Sequence, residues 1–324
     1  MPYGRAKQCK EWSKMDNSAV ANVSLECGAS KVRQTMVDLL IALLPATFAA
    51  IVFFGFKAAV VIAACVGSAV LSEFFFNLIA RREQTVGDLT AVVTGLLLAL
   101  NLSTNVTVWQ CLVGSVFAIV IVKCAFGGRG YNFVNPAIAA RVMLLIAFTE
   151  VAGGAMTTFA ELEAGATPLA ILGGAEGTLP SIFDMLIGNR GGAIGETSII
   201  ALVLGGIYLL IRKVITWEIP VVYIAGVYLL SFAITQDLNA AIYHVLSGGL
   251  VLGAIFMATD PVTSPKKCLG RIVFALGAAV MTVLIRMYGT YPEGVSFAIL
   301  FMNIICPYID RMFERKPKAE EVAE

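Results

Sequence analysis

The sequence predicts an all-α integral membrane protein with about ten transmembrane helices. Three observations carry this. Hydrophobic residues make up 58% of the 324 and charged residues only 14%, against roughly 25% charged in soluble domains. The mean hydropathy is +0.84. The apolar residues also fall into runs near the length of about 20 residues that a bilayer-spanning helix needs, with basic residues clustered in alternate loops.

Ten segments read as helices: 35–54, 58–80, 88–102, 106–124, 136–149, 196–211, 218–234, 240–258, 270–287 and 295–308. Asp38 and Asp88 stand near helix starts, where a carboxylate meets the positive end of the helix dipole. Segments 88–102 and 136–149 are short for a full span, and the latter opens with Asn135-Pro136 just after a glycine cluster. Short or Gly/Pro-interrupted segments mark half-helices and binding sites in membrane folds. Basic residues set the orientation. Lys31 and Arg33, Arg81 and Arg82, Lys123 and Arg129, Arg212 and Lys213, Lys266 and Lys267, and Arg311 to Lys318 all fall on one side. The opposite loops carry only Lys57, Arg190 and Arg286. Both termini are therefore expected in the cytoplasm, with the loop 150–195 outside. The organisation is a polar tail (1–34), a transmembrane domain (35–308) and a second tail (309–324). Gly95-Leu-Leu-Leu-Ala resembles Gly249-Leu-Val-Leu-Gly five helices later, the pattern of an inverted repeat of two five-helix halves.

Some classes are excluded early. A net charge of +1 gives no argument for nucleic acid. Residues 1–34 lack the apolar core of a signal peptide. The seven cysteines form no CxxC or cluster-like spacing, and a single histidine, His244, excludes bis-histidine haem ligation within one chain.

Three stretches are not ordinary loops. In 127–137, Gly127-Gly-Arg-Gly-Tyr-Asn-Phe-Val-Asn-Pro-Ala, the glycines let backbone approach a ligand. Asn132 and Asn135 offer donors and acceptors suited to the edge of a heteroaromatic ring. Asn135 also reads as a helix N-cap before Pro136. In 161–169, Glu161-Leu-Glu-Ala-Gly-Ala-Thr-Pro-Leu, Thr167 reads as the cap of a short helix, and its hydroxyl also offers a covalent attachment point. In 256–265, Asp260 either closes a turn before Pro261 or binds a cation. Two ionisable residues lie inside apolar segments, Glu73 and Arg141. Charge at that depth needs a partner or a cavity. Glu73 reads either as a cation or proton site or as the ion-pair partner of Arg141.

Taken together, the motifs at 127–137, 165–169, 257–265 and 291–294 (Tyr-Pro-Glu-Gly) resemble the RnfD family, the D-type subunits of the Rnf ion-translocating oxidoreductase complex. That family is related to the B-type subunits of the sodium-pumping NADH:quinone reductase. The resemblance runs from about residue 31 to 312. It implies electron transfer between reduced ferredoxin and NAD coupled to Na+ or H+ movement, in a bacterial cytoplasmic (inner) membrane. The partners it implies are other Rnf membrane subunits and iron–sulfur subunits. It implies FMN attached through its phosphate to a threonine in a motif like Asp-x-x-(Ser/Thr)-(Gly/Ala)-Ala-Thr. Thr167 matches that threonine, with Gly165 and Ala166 before it, while Glu161 and Ala164 depart from the pattern. It also implies a non-covalent riboflavin near Asn132 and Asn135, and ion coupling at Glu73 and Asp260. A channel or secondary transporter without flavin is the competing reading, because broken helices and inverted repeats serve that class equally.

Overall fold

The computed structural model describes residues 17–148, 167–196, 198–289 and 293–313. Among these residues every regular element is helical. The helices are α1 (Asn17–Phe54), α2 (Phe56–Ile79), α3 (Thr90–Leu100), α4 (Val108–Cys124), α5 (Pro136–Ala147), α6 (Pro168–Leu172) and α7 (Ile182–Ile187). After them come α8 (Ile199–Ile211), α9 (Glu218–Thr235), α10 (Leu238–Leu246), α11 (Leu250–Met257), α12 (Cys268–Tyr288) and α13 (Val295–Phe313).

Among the described residues, five helices are long and apolar enough to cross a membrane, and α10 with α11, bent by 60° at their break, form a sixth candidate. Helices α3, α4, α5 and α8 are apolar but shorter. Each of the ten expected segments thus holds a helix, but several are too short to span alone and the eighth is in two pieces. The outer faces are apolar as well as the core: Phe48 is 72% and Phe56 82% exposed. Large exposed apolar surface is unfavourable in water but is what lipid requires around helices that satisfy their own backbone.

The first helix differs from expectation. It begins at Asn17 rather than Thr35, because residues 17–34 include no proline and continue the turn without interruption. Asp38 therefore lies inside the helix, not at its start. It accepts hydrogen bonds from Tyr208 Oη (2.9 Å) and Arg212 Nε (3.2 Å), tying α1 to α8. Asp88 does sit at a helix start, where its Oδ1 accepts from Thr90 N at 3.0 Å.

Small residues let the helices approach, as expected where lipid removes the hydrophobic drive between them. A Cβ on Gly205 would strike the Ala42 carbonyl across the α1–α8 contact, and one on Gly226 would lie 2.8 Å from Ala279 Cβ across α9–α12. Helix α2 packs on α3 and α4, α12 packs on α9 and α13, and α5 bridges α4 to α13. The two stretches compared as a repeat differ locally: Gly95 lies within the unbroken α3, whereas Gly249 precedes α11 at the break.

Two helix ends among the described residues are wound more widely than an α-helix. The end of α4 (Phe117–Cys124) and the end of α11 (Gly253–Met257) are π-helical. Such turns are rare and concentrate at functional sites.

Candidate functional site

Both π-turns border one cavity of about 550 Å³. Lys123 comes from the first and Phe256 from the second. The start of α3 contributes Thr90, Val93, Thr94 and Leu97, and α1 contributes Thr35, Met36 and Leu39. The glycine-rich loop contributes Arg129, Gly130 and Asn132. Asn135, Asp260 and Lys31 of α1 also line it, with Val214 and Ile215 among the further wall residues. Asn132 and Asn135 from one sequence motif and Asp260 from another therefore meet at one cavity.

Local chemistry explains how each is placed. Gly127, Gly128 and Gly130 have φ of 120°, 94° and 83°, a region costly for residues with a Cβ. They turn the chain sharply after α4 and bring Asn132 back to the cavity. Asn132 donates to the Val134 carbonyl at 3.2 Å. Asn135 caps α5: its Oδ1 accepts from Ala137 N (3.0 Å) and Ile138 N (3.4 Å). Its Nδ2 also donates to the Met257 carbonyl at 3.3 Å, so it joins α5 to the π-turn of α11. Asn303 of α13, with its side-chain amide in the orientation that satisfies both neighbours, accepts from the Asn135 amide (3.1 Å) and donates to the Thr263 carbonyl (3.2 Å). Asn135 therefore caps a helix and lines the cavity at once.

Asp260 closes the turn after α11. It accepts from Val262 N at 3.2 Å and from Thr263 Oγ1 at 3.3 Å. Desolvation raises its carboxyl above the usual carboxylate range, against the lowering effect of those two bonds.

Glu73 lies one side chain behind the cavity wall. It is 1% exposed, and Lys123 Nζ bonds both its oxygens, at 2.9 and 3.0 Å. Thr85 Oγ1 donates to it from the other side. The same ammonium donates to Thr90 Oγ1 at 2.5 Å. Glu73 is thus not the partner of Arg141, which pairs instead with Glu196 (3.5 Å) and Glu293 and donates to Asn101 Oδ1 at 2.5 Å. Lys123 reads in the sequence as a loop charge closing the fourth helix. It is a buried residue of that helix, 4% exposed. The signal that could have found it is a lysine facing Glu73 at similar depth in the next long helix but one.

Thr167 occupies a different place. Its Oγ1 accepts from Ala170 N at 3.3 Å and caps α6. Leu169 of α6 packs at Gly248, where a Cβ would meet Leu169 Cδ1 at 2.6 Å and Arg286 Nη2 at 3.0 Å. Arg286 lies near the end of α12, whereas Arg271 near its beginning bonds the Pro265 carbonyl of the cavity-side turn at 3.1 Å. Fifteen residues at 1.5 Å rise separate these arginines, about 22 Å. The Thr167 helix and the cavity loop are therefore at opposite ends of α12. Gly165 and Ala166 lie outside the described residues, as do Glu161 and Ala164. Arg190 and Arg286, read as loop charges, are buried and donate to backbone: Arg190 to the Glu196 carbonyl (2.5 Å), Arg286 to the His244 carbonyl and to that of Ser247 (3.1 Å).

The cavity has the character of a cofactor site. Met36, Leu39, Val93, Leu97 and Phe256 form apolar walls, and Asn132, Thr90, Thr94 and Lys123 form a polar edge. Its volume lies within the range of about 300–1,000 Å³ usual for small-molecule sites. A flat heteroaromatic ring with a hydrogen-bonding edge fits this donor set. A second groove of about 540 Å³, between α8, α9 and α10–α11, is lined by no charged residue and offers only Tyr228 as a polar side chain.

The sequence profile of the NQR2, RnfD, RnfE family matches residues 24–318. The chain is 44% identical over 289 residues to the D-type subunit of the Na(+)-translocating ferredoxin:NAD(+) oxidoreductase complex of Acetobacterium woodii, covering 87% of this chain and 89% of that protein. It is 40% identical over 302 residues to the D-type subunit of the proton-translocating ferredoxin:NAD(+) oxidoreductase complex of Clostridium ljungdahlii, covering 86% and 89%. It is 38% identical over 253 residues to the B-type subunit of the Na(+)-translocating NADH-quinone reductase of Azotobacter vinelandii, covering 74% and 62%.

Proposed function

Because the chain belongs to the NQR2, RnfD, RnfE family, we propose that it is the D-type membrane subunit of an ion-translocating ferredoxin:NAD+ oxidoreductase. In this reading it carries FMN on Thr167 and a second, non-covalent flavin, riboflavin, in the cavity. The observation that carries the reading is the meeting of Asn132, Asn135 and Asp260, from two motifs, at one cavity with apolar walls.

Flavin bound in these two places supplies one-electron chemistry. The protein holds and tunes it. Val93, Leu97 and Phe256 would exclude water from a bound ring, Asn132 and Thr94 would meet its polar edge, and Lys123 would set a positive charge beside it. At Thr167 the hydroxyl at the start of α6 would take the phosphate linkage. The separation of the two sites along α12 supports passage of electrons across the membrane within protein. Other Rnf-type membrane subunits and iron–sulfur subunits complete the route.

The finer topology belongs to the same proposal: ten membrane-embedded segments, two inverted five-helix halves, both termini in the cytoplasm of a bacterial inner membrane, and the cavity on the cytoplasmic side. Glu73 and Asp260 are the proposed ion-coupling carboxylates. The two ferredoxin-linked relatives are named for different ions at similar identity, so Na+ and H+ are both carried forward.

The test is fluorescence on a denaturing gel with the protein expressed alongside its flavin-attaching enzyme. Wild type is expected to give a fluorescent band, and Thr167→Ala an equal, non-fluorescent one. A dark wild-type band overturns covalent attachment. Absence of any flavin in the native preparation overturns the flavoprotein reading and returns the chain to a plain transporter.

A further inference from the structure

The cavity wall leads to a buried charge that the cofactor site alone does not use. Lys123 Nζ sits between Thr90 Oγ1, on the wall, and both oxygens of Glu73, which is not a wall residue. Behind Glu73 the Thr85 hydroxyl is positioned by Asn77 Nδ2 at 3.0 Å. The ammonium therefore occupies the place, among two carboxylate oxygens and a hydroxyl, that a small monovalent cation would take. Two other cations line this cavity, the exposed Lys31 of α1 and Arg129 of the glycine-rich loop, and neither bonds Glu73. Arg129 is held by Asp88 (3.1 Å), and Asp88 is itself fixed to Thr90 N (3.0 Å) and Oγ1 (2.6 Å).

Lys123 also stands where the backbone has an alternative. It belongs to the π-turn that closes α4, with Ala125 N bonded to the Val120 carbonyl at 2.9 Å. Return of one residue to α-geometry turns a side chain by about 100° around the helix axis. Gly127, Gly128 and Gly130 directly after it can absorb the change in φ and ψ.

We propose that Lys123 is a two-position cation that couples charge in the cavity to ion binding at Glu73. With no added negative charge in the cavity, Lys123 pairs with Glu73 as observed. When negative charge arrives there, the ammonium turns towards it, and Glu73 with Thr85 takes up one monovalent cation, Na+ or a proton. The charges balance: the added electron is met by the ammonium, and the carboxylate it leaves is met by the incoming ion. This rests on the cavity holding a redox cofactor, and it differs from that reading in assigning Lys123 the coupling role.

The experiment is infrared difference spectroscopy of the purified whole complex, dithionite-reduced minus oxidised, with and without Na+, beside a count of acid-extractable flavin. Wild type is expected to show a reduction-linked carboxyl signal that Glu73→Gln removes. A sodium-dependent carboxylate shift identifies Na+, and a protonated-carboxyl band without Na+ identifies a proton. In Lys123→Met the signal, scaled to the flavin retained, is lost, because Glu73 holds its ion in both states. Lys123→Arg keeps the signal, which a merely structural role would not require. The double variant Glu73→Gln/Lys123→Met, without a buried unpaired charge, is the folding control. Persistence of the signal in Lys123→Met overturns the coupling role. If that variant does not assemble, wild type against Glu73→Gln still decides, since a missing or unchanged signal overturns the proposal. Absence of extractable flavin from wild type overturns the cavity reading instead.

Discussion

Replacing Glu73 with methionine tests whether the buried pair behind the cavity is as dry as the structure shows. The side chains of Lys123 and Glu73 are 5% and 1% exposed, and their charged ends are 2.9 Å apart. Removing the carboxylate leaves an ammonium with only Thr90 Oγ1 as partner. Breaking a buried pair from one side costs about 3–5 kcal/mol, whereas replacing both members with apolar residues of similar size is close to neutral. The retained bond to Thr90 places Glu73→Met near the lower end, about 3 kcal/mol. Glu73→Met/Lys123→Met should return to within about 1 kcal/mol of wild type on the same reasoning. Equilibrium unfolding of the purified chain in mixed detergent micelles measures all three. A single variant as stable as wild type, or a double variant no better than the single, would refute the claim that the pair is desolvated.

Other outcomes follow from the same geometry. Gly130→Ala forces a Cβ onto φ +83°, so it should destabilise by about 1–2 kcal/mol and lower extractable flavin by disturbing the Asn132 loop. Arg286→Met leaves the His244 and Ser247 carbonyls without their donor at the α10–α11 break. It should cost about 2–3 kcal/mol, read as faster unfolding of the chain in detergent. Asp260→Asn tests the raised carboxyl. A group whose folded value is raised makes the fold more stable as pH falls through that value. Asp260→Asn should therefore match or exceed wild-type melting temperature at neutral pH, with the gap closing on acidification. A gap that widens on acidification contradicts the burial argument.

The helices are legible in the sequence because hydropathy acts through composition and run length, which need no partner. Segment 136–149 reads as a short helix with Asn135 as its cap, since Asn-Pro at a helix start is a local signal. The pairing of charges is not legible in the same way. Lys123 looks like a boundary lysine, and only the fold brings it to Glu73, fifty residues earlier. Arg190 and Arg286 look like exposed loop charges, yet they are buried against backbone carbonyls that the sequence cannot assign to them. The π-turns have no composition of their own, so Phe256 and Lys123 cannot be read as cavity residues. Asn132 and Asp260 stand out, but in separate motifs; that they border a common cavity is a property of the fold.

The most direct measurement is the number of flavins released by acid from the purified protein, compared between wild type and Thr94→Trp. Thr94 lines the cavity, and an indole there fills the space a flavin ring needs. A cavity that holds riboflavin predicts about one extractable flavin per chain in wild type and close to none in Thr94→Trp, with fluorescence at Thr167 unchanged. Equal release from both proteins would contradict it.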